Sequence, residues 1–546
     1  MDFQILDAIT PLLYTATSGT GLLAIVAVTI VLPFLLNALT GNGMVRSIPI
    51  IGIRRNAFTQ VPARFKYLTH GRELLFGAMN KLKSIFQIVT LHGPMIILSG
   101  TYTDDIRNNK KCSHYEFFQR TFFTTYPGFE ASKRRTPSNV LKDAVRTKLT
   151  QSLGPVSLDL CRCADREVDE IFGLSEQWQQ WNVRKHTQEL VAKLSTQVFL
   201  GERLIKNKEW IRVAVDYTIH IVLAVMELRL TPAPLRPIIH WFLPNCCRLR
   251  KDRTSGRKII DEEIRIRQQE REAAAARGEP PSKTSDSIGW FTEIADGQPI
   301  DMSGMQLSLT LAAIHTTSDM ISKSLYYLAA DPQLRQAIRE EIVDALTTQG
   351  WRKSAVTGMK LLDSMMKEIQ RIHAPACSKC EAMKFSKGMT QLTGLSVSLR
   401  RWTQTDVTLH DGTKIPKGSM IGVLHDKHFD PTVYERPEEF DAWRYIKLAE
   451  KTGDRNHWLF VTTSPDHIGF GHGVHACPGR FFAANEIKIA LTFMLLRYDW
   501  RVPDIEQRLK EGKSPVVNVG DSCYLDPKIK IEFKRRTPEI DIMSYT

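Results

Sequence analysis

The sequence predicts a mainly α-helical fold with a minor β-sheet, behind a single N-terminal transmembrane helix. Stretches with helical periodicity dominate the body, for example Leu141 to Gly154 and His186 to Gly201. Short strand-like runs occur late in the chain, as in Asp406 to Leu424 with a hairpin turn at Asp411-Gly412. No repeat, Gly/Ser tract or break in composition divides the 546 residues into comparable parts, which favours one large domain.

The N-terminal apolar stretch is long enough to cross a membrane. No charged residue occurs between Ala8 and Val45, and Gly21 to Leu39 has about the length that spans ~30 Å of hydrocarbon. A cleavable signal peptide is the alternative, but the basic n-region and the small-residue cleavage site that it needs are not clear. We therefore expect residues 21–39 to be a transmembrane anchor.

The residues around this stretch predict its orientation. Basic residues follow the span from Arg46 onward, so the positive-inside rule makes residues 1–20 lumenal and the body cytoplasmic. Residues 40–55 contain the turn Ser47-Ile48-Pro49 and are predicted to form a proline hinge. The main domain is then expected to cover residues 56–546.

The charge composition limits the kinds of partner. Lys and Arg number 73 against 59 Asp and Glu, which gives a formal net charge of +14. Such an excess suits an anionic membrane surface, an acidic protein or nucleic acid. The charges are scattered, and neither zinc-finger spacing nor a helix-turn-helix signature occurs, so we expect no nucleic-acid binding.

The nine cysteines do not form a disulfide pattern. Their number is odd and their spacing irregular, which suits a reducing compartment. Cys377-x-x-Cys380 has the spacing of half a zinc site, but no second pair of ligands follows at a usable distance. Two free thiols in a loop are therefore the favoured interpretation.

One predicted helix has an unusual composition at its centre. Asp301 to Ala330 is apolar on most faces, which predicts a helix that runs through the core. The sequence Ala-Ala-Ile-His-Thr-Thr from Ala312 to Thr317 places small and hydroxyl side chains where large apolar ones are expected. Thr side chains bond to carbonyls of their own helix and bend it locally. The segment is either a packing notch or a functional site.

A glycine-rich segment near the C-terminus surrounds a single cysteine. It is GFGHGVHACPGRFFAANE, with Cys477 ahead of a predicted helix from Phe481 onward. Loop amides and a helix N-terminus stabilise a thiolate. Four interpretations stay open from this segment: a thiolate ligand of haem iron, a redox or catalytic cysteine, a zinc site with the spacing His472-x-x-His475-x-Cys477, and a core cysteine in a tight turn.

Four motifs together resemble those of the cytochrome P450 family. Phe470-x-x-Gly473-x-His475-x-Cys477-x-Gly479 is similar to its cysteine-ligand signature, and Glu368-Ile369-Gln370-Arg371 to its helical E-x-x-R. Arg436 to Tyr445 is similar to its P-x-x-F-x-x-x-R segment, and Ala312 to Thr317 to its oxygen-activation motif. The resemblance covers about Pro49 to Phe533, and the anchor and hinge match the family's endoplasmic-reticulum members.

The resemblance implies a cytochrome P450 fold and a haem b cofactor whose iron has the Cys477 thiolate as axial ligand. It implies roles for three further groups of residues. The haem-binding residues would be Phe470, Gly471, Gly479, His475 and Arg401, with Arg146 as a weaker candidate for the propionates. The buried structural cluster would be Glu368, Arg371 and Arg444. The catalytic residues would be Thr316, His315 and Thr317.

Three features depart from the usual pattern of the family. His475 stands where an arginine is usual and would donate to a propionate without a fixed charge at neutral pH. His315 stands where an acid is usual, and at about 6.5 the reference pKa of histidine suits a proton relay near neutrality. Both histidines resemble those of filamentous-fungal members that oxidise terpenoids and related metabolites. Residues 376–394 lengthen the usual connection, either as a surface insertion or as intron sequence left in the gene model.

The resemblance implies a single-pass haem monooxygenase of the endoplasmic reticulum membrane with a cytoplasmic catalytic domain. It would hydroxylate, epoxidise or further oxidise an apolar small molecule, a terpenoid or indole-terpenoid intermediate of fungal secondary metabolism. Since the chain has no flavin or nicotinamide motif, electrons would come from NADPH–cytochrome P450 reductase, with cytochrome b5 as a second donor. The alternatives are a haem-thiolate isomerase or dehydratase without a reductase, and a catalytically dead haem- or lipid-binding homologue.

Overall fold

The computed structural model describes residues 43–54, 60–82, 84–132, 140–279, 285–373, 397–519 and 522–545. The predicted lumenal segment, the anchor and the segment 376–394 lie outside these residues, as do Cys377 and Cys380, and the hinge lies only partly within them. In the part that is described, no helix is both long and apolar enough to cross a membrane. The anchor and its orientation therefore stay predictions.

The described residues are mainly helical, which confirms the predicted class. A π-helical turn, Val145–Leu149, follows the fourth helix. The α-helices are, in chain order, α1 Val61–Leu82, α2 Thr103–Arg107, α3 His114–Thr121, α4 Val140–Ala144, α5 Leu153–Phe172, α6 Val183–Leu200, α7 Glu202–Ile205, α8 Lys208–Leu230, α9 Arg236–Ile239, α10 Pro244–Ala276, α11 Ser287–Ala295, α12 Met302–Ala330, α13 Pro332–Gln349, α14 Lys353–Gly358, α15 Lys360–Ile372, α16 Arg444–Thr452, α17 Arg480–Arg497 and α18 Ile505–Lys510.

The strands of the described residues are short and form small sheets. They are β1 Ile50–Ile51, β2 Ile85–Thr90, β3 Gly93–Leu98, β4 Cys112–Ser113, β5 Gln179–Trp181, β6 Val397–Thr403, β7 Val407–Thr408, β8 Lys414–Ile415, β9 Met420–Leu424, β10 Tyr498–Arg501, β11 Val516–Val519, β12 Ser522–Leu525 and β13 Ile531–Arg535. The largest sheet has the order β1-β2-β3-β9-β6-β4, and a second has the order β10-β13-β5. β7 pairs with β8, and β11 with β12.

A bulge in the large sheet lies directly before Arg401. The antiparallel register of β6 and β9 shifts between Ser398 and Arg401, and Leu399 has a φ of 44°. Such a bulge adds a residue to one strand and re-aims the side chains that follow it. Arg401 and Trp402 then pair with Ile421 and Met420 of β9.

The long helix α12 runs through the core, as predicted. It is about 44 Å long at 1.5 Å per residue, and the Asp301 carboxylate caps its start by accepting from the Gly304 N–H at 3.0 Å. It packs against α6, α8, α15 and α17. Because α15 carries the E-x-x-R motif and α17 follows Cys477, these contacts gather three of the four motifs around one region of the core.

Candidate active site

The loop before Cys477 is fixed by backbone hydrogen bonds. The Cys477 N–H donates to the Phe470 carbonyl at 2.8 Å, and the Gly471 N–H donates to the Ile468 carbonyl at 2.8 Å. Gly471 and Gly473 have φ values of 68° and 75°, in the left-handed region that favours glycine. At Gly473 a Cβ atom would also lie 2.5 Å from the Asn108 side-chain oxygen. The loop geometry therefore requires glycine at these two positions.

The Cys477 sulfur lies at the start of helix α17. The backbone N–H groups of Gly479 and Arg480 donate to it, and the Arg480 guanidinium is near. Burial raises the pKa of the thiol, and these three groups oppose that effect only in part. A bound metal ion would supply the missing positive charge and hold the sulfur as a thiolate. Phe470 packs edge-to-face on Phe460 at 5.0 Å between ring centroids, beside this loop.

The two histidines of the loop do not join the cysteine in a metal site. Arg107 donates to His472 Nε2 at 2.8 Å, and His472 Nδ1 pairs with the Thr463 hydroxyl at 3.0 Å. His475 is exposed and stacks on His114 at 5.8 Å between ring centroids. The described part of the chain contains no cluster of three His, Cys, Asp or Glu side chains that could hold a metal ion. The zinc interpretation is therefore wrong.

Helix α12 has an open face at the predicted notch. Ala312 and Thr316 are exposed, although most of the helix is buried, and they share one face because they are four residues apart. The Thr316 hydroxyl donates to the Ala312 carbonyl at 2.9 Å. The notch thus borders open space, and small side chains leave room there for a ligand.

Thr317 links this helix to α17 through a buried acid. Glu486, fully buried, accepts from the Ser195 hydroxyl at 2.8 Å through Oε1, and its carboxyl also interacts with the Thr317 hydroxyl. Burial raises the pKa of Glu486 to about 8, against these two hydrogen bonds. Its carboxyl is therefore largely protonated at neutral pH. The sequence signal for this residue was a lone acid in the otherwise apolar stretch after Phe481, and we did not predict a role for it.

His315 faces away from the open side of α12. Its Nδ1 accepts from the Gln188 side chain at 3.0 Å, and its Nε2 pairs with the Thr218 hydroxyl. Burial lowers the pKa of His315 to about 4, so the imidazole is neutral. The predicted relay role stays a prediction. In this state His315 could pass a proton only by exchanging its tautomers.

Arg401 has buried nitrogen atoms that lack a partner. It is 2% exposed, and one terminal nitrogen donates to the Arg400 carbonyl at 2.9 Å, whereas Nε and the other terminal nitrogen have no hydrogen-bond partner. Burial lowers its pKa to about 10, with Cys112 as its near neighbour. Two residues after Cys112, His114 stacks on His475, so Arg401 and His475 approach the same region. A buried guanidinium is costly without an anion, and a propionate would provide one.

The predicted Glu–Arg–Arg cluster is formed. Arg371 donates to both carboxylate oxygens of Glu368 at 2.8 Å, and Arg444 Nε donates to one of them at 3.0 Å. Glu368 and Arg371 are fully buried. Arg371 also donates to the carbonyls of His428 and Pro437, both at 2.7 Å. The bidentate geometry is the strongest form of this ion pair.

The site residues fit a haem. Cys477 would bind the iron, Arg401 and His475 would bind the propionates, and Ala312 and Thr316 would border the open space on α12. Arg146 is exposed on the π-helical turn and lies near Arg480. The thiolate donor and the orphaned guanidinium are the two features that a haem would satisfy together.

Comparison with known proteins gives one consistent family. The cytochrome P450 family model matches residues 104–381 and 392–523. The ten residues between the two matched parts fall inside the segment 376–394 that sequence analysis set apart as an insertion.

The relatives and the fold agree with this match. Cytochrome P450 monooxygenase bsc2 of Alternaria brassicicola is 35% identical, over 90% of each chain. Cytochrome P450 monooxygenase adrA of Penicillium rubens is 35% identical, over 90% of this chain and 92% of that relative. A retinoic acid-bound cyanobacterial CYP120A1 has a similar fold, with a TM-score of 0.61 and 17% identity over 87% of this chain and 96% of that one.

Proposed function

The chain belongs to the cytochrome P450 family and is a haem-thiolate monooxygenase, and from this premise we propose that its substrate is a terpenoid or indole-terpenoid of fungal secondary metabolism. The reaction would insert one atom of O2 into a C–H or C=C bond. The fungal sources of the relatives support this substrate class. An apolar wall also supports it: Phe122, Phe123 and Tyr126 pack on the core in the segment that reaches α12 through the Ser308 hydroxyl and the Ala131 carbonyl.

Polar side chains on and near the open face would bind and transfer protons. The haem, when bound, would supply an iron that activates oxygen, and the thiolate would donate electron density to that iron and favour O–O cleavage. The Thr316 hydroxyl can release the Ala312 carbonyl and hold a water molecule over the open face. Thr317, the next residue along α12, contacts the neutral Glu486 of α17, so a proton source is already in the core. His315, with Gln188 and Thr218, forms a second polar path toward α6 and α8.

The surface beside Cys477 supports docking of an acidic electron donor. Val474 and Phe481 are 56% and 37% exposed. Lys142 donates to the Val474 carbonyl at 3.2 Å, and Arg146 lies near Arg480 on the same side. Exposed apolar residues with a basic rim fit the interface of a transient redox complex. We assign this surface to NADPH–cytochrome P450 reductase, with cytochrome b5 as a competing donor.

A separate apolar patch supports contact with the endoplasmic reticulum membrane. Its most exposed members are Phe65, Leu230, Ile238, Trp241 and Phe242, with Phe242 at 76%. Arg64 donates to the Arg229 carbonyl at 3.2 Å, which brings α1 beside the end of α8 and joins the patch. Exposed aromatic and aliphatic side chains near basic residues are typical of surfaces that lie in a membrane interface.

Membrane fractionation tests this topology. Removal of residues 1–44 should release most of the protein from alkaline-washed membranes with haem retained, because the anchor is lost. The remainder should be released when Trp241→Ser and Phe242→Ser are added. A truncated, doubly substituted protein that still needs detergent would contradict the assignment of both elements.

The monooxygenase proposal is tested by spectrum and turnover together. The reduced, carbon monoxide-bound absorption spectrum reports thiolate ligation, and NADPH-dependent product formation with added reductase reports monooxygenase chemistry. Turnover without reductase would instead favour the isomerase or dehydratase. A thiolate spectrum without turnover of any terpenoid would favour the catalytically dead homologue. Sequencing transcripts across Pro375 to Leu395 would show whether the segment 376–394 is translated.

A further inference from the structure

Three arginines from separate segments surround His92 near the end of α8, and a fourth, Arg236, lies close to one of them. Arg64 lies on α1, Arg229 near the end of α8, Arg236 at the start of α9 and Arg400 on β6. Arg64, Arg229 and Arg400 all act electrostatically on the His92 ring, and Arg64 also acts on Arg236. We call this set the arginine cluster.

Three arginines of the cluster donate hydrogen bonds to backbone carbonyls. Arg64 donates to the Arg229 carbonyl at 3.2 Å, and Arg229 donates to the Thr121 carbonyl at 3.0 Å. Arg236 Nε donates to the carbonyls of Leu228 and Thr231 at 2.8 and 3.0 Å. A helix C-terminus carries only about half a negative charge. These carbonyls therefore do not neutralise the charges of Arg64 and Arg236.

The shortage of negative charge and of hydrogen-bond partners is clearest at Arg64, Arg236 and His92. Within the described ranges, neither Arg64 nor Arg236 has a carboxylate at salt-bridge distance, and the buried Nε of Arg64 and Nδ1 of His92 have no hydrogen-bond partner. Burial lowers the pKa of both arginines, and the charge of Arg64 lowers that of Arg236 further. Burial and then the three arginines lower the pKa of His92 well below its usual value. The cluster would gain from an anion.

Capping of α8 explains only part of this arrangement. It accounts for the bonds from Arg236 to the last carbonyls of the helix. It does not account for His92, which lies in the β2–β3 turn and packs against Phe117 at 5.7 Å between ring centroids. Nor does it explain why the Arg64 Nε is buried without an acceptor.

Helix α8 connects the arginine cluster to helix α12. Thr218 of α8 contacts His315 of α12, and Arg229 lies about 16 Å further along α8 at 1.5 Å per residue. Ile221 and Val225, between these points, are buried and apolar. On the other side, Arg400 directly precedes Arg401, the candidate propionate ligand. The cluster therefore lies about 16 Å along α8 from the point where that helix contacts α12, a distance that an elongated small molecule can span.

We propose that the arginine cluster binds the carboxylate of an amphipathic substrate whose apolar body extends to the open face of α12. Arg64 and Arg236 would donate to the carboxylate oxygens, for which the planar guanidinium has matching geometry. Arg229 and Arg400 would add positive charge, and neutral His92 one further hydrogen bond. The position of the apolar body rests on the proposed monooxygenase function, whereas binding of the anion does not.

A matched pair of probes tests the charge requirement in the full-length, haem-loaded protein. Palmitate and hexadecanol share an apolar chain and differ in the carboxylate. We expect palmitate to bind at least about tenfold more tightly, as read from the haem absorption change and from the rise in Tm. The double variant Arg64→Gln/Arg236→Gln should lose that preference. Arg265→Gln, which removes an exposed arginine paired with Glu262 on α10, should keep it.

The ligand-free variant separates binding from a structural role. Arg64→Gln removes a half-buried cation that lacks a carboxylate, so its Tm should equal or exceed that of the parent protein. A lower Tm together with an unchanged preference for palmitate would show that Arg64 only caps the helix. Equal affinity of the parent protein for both probes would overturn the proposal, while an intact thiolate spectrum would leave the monooxygenase assignment standing.

Lipid phosphate is the competing source of an anion. Binding to phosphatidylserine and phosphatidylcholine vesicles should be affected equally by the double variant if the cluster serves a substrate. A selective loss of phosphatidylserine binding, with the palmitate preference retained, would assign the cluster to lipid headgroups and overturn the proposal.

Discussion

The Glu368–Arg371–Arg444 cluster and the end of α8 differ in how buried charge is neutralised. Glu368 accepts from both Arg371 and Arg444, and the other donors of Arg371 end on carbonyl oxygens. At the end of α8, Arg64 and Arg236 have carbonyl partners but no carboxylate within the described ranges. A completed network has nothing to gain from a ligand and holds the fold together. An incomplete one gives a ligand its binding energy.

Loss of Cys477 should have the largest effect of these changes, because it removes the proposed iron ligand. Cys477→Ala removes the thiol to which the Gly479 and Arg480 amides donate, so the thiolate-type carbon monoxide spectrum should disappear. Cys247→Ala, which removes an exposed free thiol on α10, should leave it unchanged. A Cys477→Ala protein that kept the spectrum would show that another residue binds the iron.

Breaking the completed network should destabilise the fold strongly. Arg371→Ala leaves the buried Glu368 carboxylate with Arg444 as its one remaining cationic partner among the described residues, and the free energy of unfolding should fall by about 3–5 kcal/mol. Lys447→Ala, at an exposed pair with Asp441, should change it by no more than about 1 kcal/mol. Urea unfolding measures both variants. Equal losses of stability in the two variants would show that the buried ion pair matters no more to the fold than the exposed one.

The raised pKa of the buried Glu486 carboxyl predicts that the free energy of unfolding depends on pH. Its folded-state pKa of about 8 lies above the unfolded value of about 4.3, so its contribution to stability is complete below pH ~4.3 and is lost as the pH rises toward 8. Glu486→Gln should therefore gain stability relative to the parent protein by about 1.4 kcal/mol per pH unit across that window. A pH-independent difference in urea unfolding would mean that the carboxyl is ionised in the fold.

Thr316 should have the smallest effect of the four, and only on the reaction. Thr316→Ala should leave haem and substrate binding nearly intact and lower product per NADPH by about tenfold, since a positioned proton donor is lost. His315→Ala should have a smaller effect, because its ring faces α6 and α8, and His315→Asp should retain activity. Product and hydrogen peroxide per NADPH, with reductase present, are the measurements. Unchanged coupling in Thr316→Ala would exclude its hydroxyl from proton delivery.

Local patterns in the chain determined much of the site. The glycines around Cys477 specify the loop, because the left-handed φ values at Gly471 and Gly473 are a property of the backbone itself. The three-residue spacing of Glu368 and Arg371 puts both side chains on one helical face. Apolar periodicity likewise predicted α12, and the structure places its start one residue after Asp301.

Tertiary packing determined the orientations of the side chains in the site and the protonation states of its buried groups. The spacing of His472, His475 and Cys477 allowed a zinc site, but Arg107, Thr463 and His114 engage the two rings. His315 and Glu486 are neutral because of what surrounds them, and burial is set by distant segments. The arginine cluster likewise joins residues that lie from α1 to β6. Sequence spacing specifies a helix or a loop, whereas the contacts between such elements depend on how the whole chain packs.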